Sequence, residues 1–463
     1  MRRLKPLDAA WLYVESSNSP MHVAGLQILS PPKGAKAGFL NDIVARFKEG
    51  SGKMVPPWNL RLVQSPLSGV LPAWEVDRNV DLDYHMRHSA LPQPGGEREL
   101  GVLVSRLHSH PLDLQRPLWE CHLIEGLEGG RFALYTKMHH ALMDGMAGMR
   151  MIQRAMSESP RNRSLSPPWA LGRLKPREEE PRAASLSRRM NALYEAARRQ
   201  ASTLPEVARA MAKIWHTGKD ADPGLVAPFS APKSVLNQRI TAPRRFATQQ
   251  YELERLRRLA RQADVTLNDI VLALCSGALR RFLQESGALP RRPLTAGLPV
   301  SVRPQGDDTL GTAISFILAN LATDVADPRE RLAAIRASTQ RSKEHLQRLP
   351  KSSLDNYTAA FMAPFVLALV TGLGGRGRPM FNVTISNVPG PEKPLYFAGA
   401  RLEAMYPISL LTHGQALNIT CVSYAGTLNF GYTGCRDTLP HMQHIAVYTG
   451  EALEELERVF AGR

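Results

Sequence analysis

Residues 137–148 read KMHHALMDGMAG, placing His139 and His140 side by side with Asp144 and Gly145 following at fixed spacing. An imidazole with an ordinary pKa of about 6.5 can take a proton near neutrality and return it later in the same cycle. The run RFALYTKM (residues 131–138) alternates like a strand. After the motif, Met146, Met149, Ile152 and Met156 recur at helical spacing. The histidines are therefore expected at a strand–loop–helix junction, where a ring can be aimed into a crevice. One ring has to face the substrate, and His140 is expected to be that general base, with His139 turned back into the fold. Asp144 is expected to brace the loop, because a buried carboxylate requires a partner. Gly145 is expected to let the chain turn tightly into the helix without a Cβ. No Gly-x-Ser-x-Gly elbow, cysteine-nucleophile signature, GxGxxG or Walker loop occurs. One base acting on a bound hydroxyl fits what is left, although a histidine alone does not define the reaction.

The elements that must hold these residues are spread over 463 positions, too many for one ordinary core and suited to two domains. Hydrophobic content of 43% with 22% charged residues marks a globular chain rather than a disordered one. The opening MRRLKPLDAAWLYVES lacks the apolar core of a secretory leader, so the expected location is cytoplasmic. The longest apolar stretch, AAFMAPFVLALVTGLGG from Ala359, is interrupted by Pro364 and is shorter than the roughly 20 residues of a spanning helix. It can line a tunnel, dock on lipid or form a core helix. Cys121, Cys275, Cys421 and Cys435 include no CxxC and no zinc-type spacing, so buried reduced thiols and no metal are expected. The net charge of +16 points to an anionic partner. Between residues 161 and 219 there are thirteen Lys/Arg against five Glu, which concentrates half of that excess in one segment. A solvated basic helix or a peripheral contact with anionic lipid accounts for such a segment. Nucleic acid is not supported, since no zinc finger, basic zipper or aromatic-interleaved basic sheet is present.

Along the chain, residues 21–29 (MHVAGLQIL) read as a strand and ELGVLVSRLHSHPLD from Glu99 as a helix. A Pro-, Ser- and charge-rich break follows position 158 and leads into the basic amphipathic stretch. Beyond it, a helix is expected from Thr266 with Asn268 and Asp269 in its first turn. Strands are expected at LTAGLPVSV from Leu294, MFNVTISNV from Met380 and ALNITCVSYAGTLNFGY from Ala416, before a last helix. The expected organisation is residues 1–160 as a lobe carrying the histidines, 161–230 as a basic helical linker, and 231–463 as a second α/β lobe.

His139, His140, Asp144 and Gly145 match the HHxxxDG motif, and the chain resembles the CoA-dependent acyltransferase superfamily that carries it. SSNSPMHVAGLQIL, RPLWECHLIEGL (residues 116–127), LNQRITAPRRFA (residues 236–247), TLNDIVLAL and ISNVPGPEKPLYFAGARLEAMYPIS (residues 385–409) narrow the likeness. They resemble the bacterial wax ester synthase/acyl-CoA:diacylglycerol acyltransferase family nearly end to end, most weakly over residues 158–230. The DFGWG motif of peptide-synthetase condensation domains is absent, and SNVPGP holds the comparable late position.

The resemblance implies an α/β fold of two chloramphenicol-acetyltransferase-like lobes, with mixed sheets, flanking helices and an active-site tunnel between them. It implies acyl-CoA as substrate, no bound cofactor, and a fatty alcohol or diacylglycerol as acceptor. His140 would deprotonate the acceptor hydroxyl. Asn268 is the candidate for oxyanion or acyl-carbonyl contact, and Asp269 for bracing its helix. Arg303 is the candidate ion-pair partner of Asp144. Pro117, Leu118 and Trp119 would shape an apolar wall of the tunnel or serve as plain core, and Asn387 and Pro389 would form a structural turn beside it. Peripheral association with the inner membrane or lipid inclusions would follow. A related acyltransferase using a polyketide, glycolipid or carrier-bound substrate is the alternative, and a non-enzymatic lipid-binding protein a more distant one.

Overall fold

The computed structural model describes residues 2–4, 6–49, 54–63, 72–143, 145–171, 226–301, 314–348 and 354–461. Asp144, Arg303 and most of the basic segment expected to form a helical linker therefore lie outside the described residues.

The first helices are α1 (Pro6–Val14), α2 (Phe39–Glu49) and α3 (Leu82–His85), and β1 (Arg2–Arg3), β4 (Ala73–Val76) and β3 (Leu60–Val63) form a small antiparallel sheet. Two six-stranded mixed sheets organise the rest. The first is built on β2 (His22–Ser30), β5 (Met86–Ala90), β6 (Trp119–Leu127) and β7 (Arg131–His139). Its order is β12-β13-β2-β7-β6-β5, where β12 (Tyr396–Phe397) and β13 (Ala400–Ile408) arrive from far down the chain. Only β5 and β6 run parallel. The second sheet has the order β10-β9-β11-β14-β15-β8. Its strands are β8 (Arg244–Glu252), β9 (Thr295–Ser301), β10 (Ile314–Asn320), β11 (Val383–Val388), β14 (Leu417–Tyr424) and β15 (Thr427–Cys435). β11 runs parallel to both of its neighbours. The stretch from Ala416 splits into a hairpin at Ala425 and Gly426, both with positive φ.

β7 is covered on both faces, which explains why its eight residues after Arg131 are all buried. Phe132, Leu134 and Met138 join one cluster, while Ala133 and Tyr135 join another beneath α4 (Glu97–Ser109). The period of two thus decides that Lys137 and His139 face the α4 side. A helix at Leu267–Glu285 fills the second lobe and is buried nearly all round. It starts on a capping box in which Thr266 and Asp269 satisfy each other's backbone N–H groups.

Several contacts among the described residues tie the lobes together. The backbone N–H groups of Arg244 and Phe246 on the edge of β8 donate to the Ser109 and Ser105 hydroxyls of α4, at 2.8 and 3.0 Å. This pairing occupies a strand edge that would otherwise be open. Where β13 crosses β15, a Cβ on Gly431 would collide with the Pro407 carbonyl oxygen, so the sheets touch there through glycine. A buried amide pair ties the second lobe to the segment before β8. Asn382 Nδ2 donates to Asn237 Oδ1 at 2.6 Å, and Asn237 Nδ2 donates to the Gly414 carbonyl at 2.9 Å.

All four cysteines are free and buried. The apolar stretch from Ala359 forms a helix, Leu354–Val370, with Pro364 inside it. It is not a plain core helix: Phe361 is buried, but Leu367, Val370 and the following Leu373 are more than half exposed. Among the described residues no helix is long and apolar enough to cross a membrane.

Candidate active site

The adjacent histidines meet different fates as β7 ends. His139 is its last residue, with a fully enclosed ring. The Ala141 N–H donates to His139 Nδ1 at 3.0 Å, which places the ring proton on Nε2. From there Nε2 lies 3.2 Å from Glu15 Oε2. The other Glu15 oxygen accepts from the Met21 N–H, also at 3.2 Å. His140 has already left the strand. Its backbone N–H donates to the Met21 carbonyl at 2.8 Å, and its half-buried ring packs 4.2 Å from Trp11 at a 37° tilt. The N–H groups of Leu142 and Met143 both return to the His139 carbonyl, closing the turn that leads to the helix Gly145–Arg154.

Glu15 and Trp11 went unnoticed in the sequence because they precede the motif by more than 120 positions. Their link is the SSNSPMHV segment, which runs along the lobe boundary. The Ser19 hydroxyl donates to the Leu411 carbonyl and the Arg244 guanidinium donates to the Asn18 carbonyl, each at 2.8 Å. That segment delivers Glu15 to His139 and the Met21 carbonyl to His140.

Gly145 does not have the expected role. It is the first residue of its helix, is not among the glycines with positive φ, and a Cβ there meets no described atom within 4 Å. The close approach falls instead on Gly148, where a Cβ would lie 2.5 Å from Met138 Sδ. Pro117, Leu118 and Trp119 are buried side chains, and none lines the open cleft between the lobes. Leu118 touches the site through its backbone, its carbonyl accepting from the His139 N–H at 3.0 Å. Trp119 packs in an aromatic core with Trp58, His85 and Trp169, and its Nε1 donates to the Trp58 carbonyl.

The sequence segments PLWE and KMHH meet directly, since Glu120 pairs with Lys137 across the β6–β7 ladder. Lys137 Nζ lies 3.2 Å from Glu120 Oε2, and it donates to the Leu107 and His110 carbonyls at the end of α4. Burial opposes ionisation of Glu120, but His122, Lys137 and Arg87 together hold its carboxyl down at about 2. Burial lowers the Lys137 ammonium, while Glu120 opposes that shift. His108, whose Nε2 meets the Ser409 carbonyl, is pushed down to about 3 by burial and by Lys137.

Asn268 is half-buried in the first turn of its helix, and capping there is done by Thr266. The structure shows no hydrogen bond from Asn268 to either histidine among the described residues. Asp269 accepts from Thr266 and also from the Thr339 hydroxyl at 2.7 Å. Asn387 lies on β11 opposite Cys421, and Pro389 is exposed just beyond. In SNVPGP the tight contact belongs to Gly390, where a Cβ would strike the Ser423 carbonyl oxygen. No group of three or more metal-ligating side chains occurs among the described residues.

Comparison with known proteins agrees with this architecture. Residues 4–271 match the wax ester synthase/diacylglycerol acyltransferase catalytic domain, and residues 310–457 match the WS/DGAT C-terminal domain. The chain is 46% identical to a putative diacylglycerol O-acyltransferase of Mycobacterium tuberculosis, over 98% of this chain and 97% of that protein. It is 41% identical to the O-acyltransferase WSD of Acinetobacter baylyi, over 100% of this chain and 98% of the relative. Among solved structures, the wax ester synthase/diacylglycerol acyltransferase from Marinobacter aquaeolei VT8 superposes with a TM-score of 0.80 at 38% identity, covering 100% of both chains. The first condensation domain of the calcium-dependent antibiotic synthetase shares the fold alone, at a TM-score of 0.61 and 19% identity over 100% of this chain and 97% of that one. The chain belongs to the wax ester synthase/diacylglycerol acyltransferase family and is an O-acyltransferase.

Proposed function

We propose that the protein moves a long-chain acyl group from acyl-CoA to the hydroxyl of a fatty alcohol or diacylglycerol, with His140 as general base. The observation that carries the assignment is the difference between the two rings. Both nitrogens of His139 are engaged, by Ala141 and Glu15, and its ring is fully enclosed. His140 is the partly accessible one, beside Trp11. In this reading His140 takes the hydroxyl proton while the alcohol oxygen forms a bond to the thioester carbonyl carbon. The tetrahedral oxyanion then collapses, the carbon–sulfur bond breaks, and protonated His140 returns the proton to the leaving coenzyme A sulfur. The protein contributes orientation and stabilisation of the oxyanion. Asn268 is the proposed amide donor for that oxygen. Asp144 is the proposed brace of the histidine loop and Arg303 its ion-pair partner. No bound cofactor is required.

The test is coenzyme A release across a matrix of acyl-CoA donors with hexadecanol or diacylglycerol as acceptor. His140→Ala is expected to abolish release while circular dichroism stays native. Near-wild-type release from that variant would end the general-base assignment. Turnover confined to carrier-tethered acyl groups would replace the acyl-CoA reading.

A peripheral contact with an anionic membrane or lipid-inclusion surface is also proposed. The exposed Leu367, Val370 and Leu373 lie beside exposed Arg376 and Arg378, an apolar patch with a basic rim. Adjoining it in the fold, the helix Pro6–Val14 carries Trp11 and packs on Leu354–Val370. The basic segment of residues 161–219 would add to the attraction.

A further inference from the structure

A cleft of about 1500 Å³ opens between α4 of the first lobe and β8, with the final helix His444–Phe460, of the second. It is larger than the roughly 300–1,000 Å³ usual for a small-ligand pocket, so an extended ligand fits its scale. Six arginines line it: Arg98, Arg106, Arg131, Arg244, Arg245 and Arg436. Their opposing carboxylates on the lining are Glu97 and Glu403, and Glu97 already accepts from the Thr248 hydroxyl.

Three of the six are committed to the fold. Arg244 is buried and donates to the Thr241, Ala242 and Asn18 carbonyls. Arg131 donates to the Glu128 carbonyl, and Arg436 pairs with Asp437. Arg98, Arg106 and Arg245 have no hydrogen bond or ion pair among the described residues. Positive charge gathered on facing walls of one crevice, six guanidiniums against two carboxylates, favours a multivalent anion.

The apolar lining adds a second requirement. Val102 is 60% exposed and Val447 is 52% exposed, and both line this cleft, one on each lobe. On α4 the sequence Arg98, Val102, Arg106 advances by one turn each time, setting guanidinium, apolar contact and guanidinium along about 12 Å of helix. A ligand that alternates phosphate groups with a flat aromatic base matches that series. Ser17, Ser109, His110 and Pro111 also line the cleft. Ser17 is two residues from Glu15, the partner of His139, and the His110 carbonyl accepts from Lys137.

We infer that this cleft holds the 3′-phosphoadenosine diphosphate end of the acyl-CoA donor. Arg98, Arg106 and Arg245 take the phosphates, and Val102 and Val447 flank the adenine. The inference rests on the acyl-CoA reading above. A 3′-phosphate alone carries about −1.5 to −2 charges, and the diphosphate adds to it, in keeping with three otherwise unpaired guanidiniums. Anchored here, the donor extends its pantetheine arm past Ser17 toward the histidines.

The experiment compares palmitoyl-CoA with S-palmitoyl-pantetheine, which lacks the nucleotide, using hexadecanol as acceptor and the full-length protein. The Arg98→Ala/Arg106→Ala/Arg245→Ala variant is expected to raise KM for palmitoyl-CoA about tenfold with kcat unchanged. Its KM for palmitoyl-pantetheine is expected to stay at the wild-type value. Val102→Asp, an exposed-site change, is expected to raise KM for palmitoyl-CoA in the same selective way. An unmoved KM for palmitoyl-CoA in the triple variant, or an equal rise for both donors, overturns the inference. Calorimetry with coenzyme A and with adenosine 3′,5′-bisphosphate tests the cleft without turnover. Loss of binding in the triple variant supports the assignment, and wild-type binding in that variant refutes it. Should the wild-type protein release no coenzyme A with any acceptor, the acyl-transfer reading fails, while calorimetry still decides the cleft.

Discussion

Replacing Glu15 by Gln removes one charge and, more tellingly, one acceptor from a network that has none to spare. The carboxylate takes the Met21 N–H on one oxygen and His139 Nε2–H on the other, both at 3.2 Å. A glutamine has a single acceptor oxygen, so one of the two donors must face its NH2 group. Switching the His139 proton to Nδ1 gives no relief, because that nitrogen already accepts from the Ala141 N–H. In every arrangement one buried donor is left unpaired, at a cost of about 1–3 kcal/mol. The Glu15 side chain is only 10% exposed, so water makes up little of the loss. Because Met21 also holds the His140 backbone, the strain falls on the ring proposed as base. Glu15→Gln is therefore expected to lower kcat by about 10- to 100-fold, since each 1.4 kcal/mol is a factor of ten. KM for acyl-CoA should be unchanged. The assay is coenzyme A release with palmitoyl-CoA and hexadecanol, alongside thermal unfolding. A variant with wild-type kcat and a lowered Tm would show that Glu15 serves stability alone, refuting its part in aiming His140.

Three further outcomes are expected. Lys137→Met leaves Glu120 buried without its nearest cation and should destabilise by about 3–5 kcal/mol in urea unfolding. Glu120→Gln/Lys137→Met should recover much of that, and a double variant no better than the single one would contradict the pairing. With pH, a carboxyl held at about 2 and an imidazole at about 3 both lie below their ordinary values of 4.5 and 6.5. The unfolded chain then binds the extra protons, so their contributions are complete above about pH 6.5. Stability should fall from there as His108 protonates in the unfolded state, and fall further below pH 4.5 as Glu120 does. His108→Gln should flatten the upper part of that decline in urea titrations, and an unaltered slope would count against it. Finally, Leu367→Glu/Val370→Glu should weaken sedimentation with anionic phospholipid vesicles while leaving turnover of a short soluble alcohol intact. Sedimentation equal to wild type would remove that helix end from the membrane contact.

Much of the local structure was legible because its signals are short-range. Alternation marked β2 and β7, and Asn268 and Asp269 ahead of the apolar run IVLALC marked the helix that fills the second lobe. The adjacency of His139 and His140 already implied that a strand end would send their rings to different environments. The reason assigned to Gly145 failed since a glycine's purpose depends on what stands opposite it. Met138 stands opposite Gly148, and Gly145 opens onto no described neighbour. PLW was open to two readings, a tunnel wall or plain core, and the buried Trp119 stacks of the structure put it in the core.

By itself the sequence determined the two-lobed α/β plan, the histidine pair at a strand–helix junction and the family to which those segments belong. Periodicities of two and 3.6 residues, and motifs of a few residues, are written along the chain. Only the tertiary structure decided that Glu15 would reach His139 across 124 positions, that Lys137 would neutralise Glu120, and that Tyr396–Phe397 and Ala400–Ile408 would complete the first sheet. It alone brought Arg98, Arg106 and Arg245 to one cleft. Such meetings are set by which faces bury together once the sheets pack, and no local pattern records the partner.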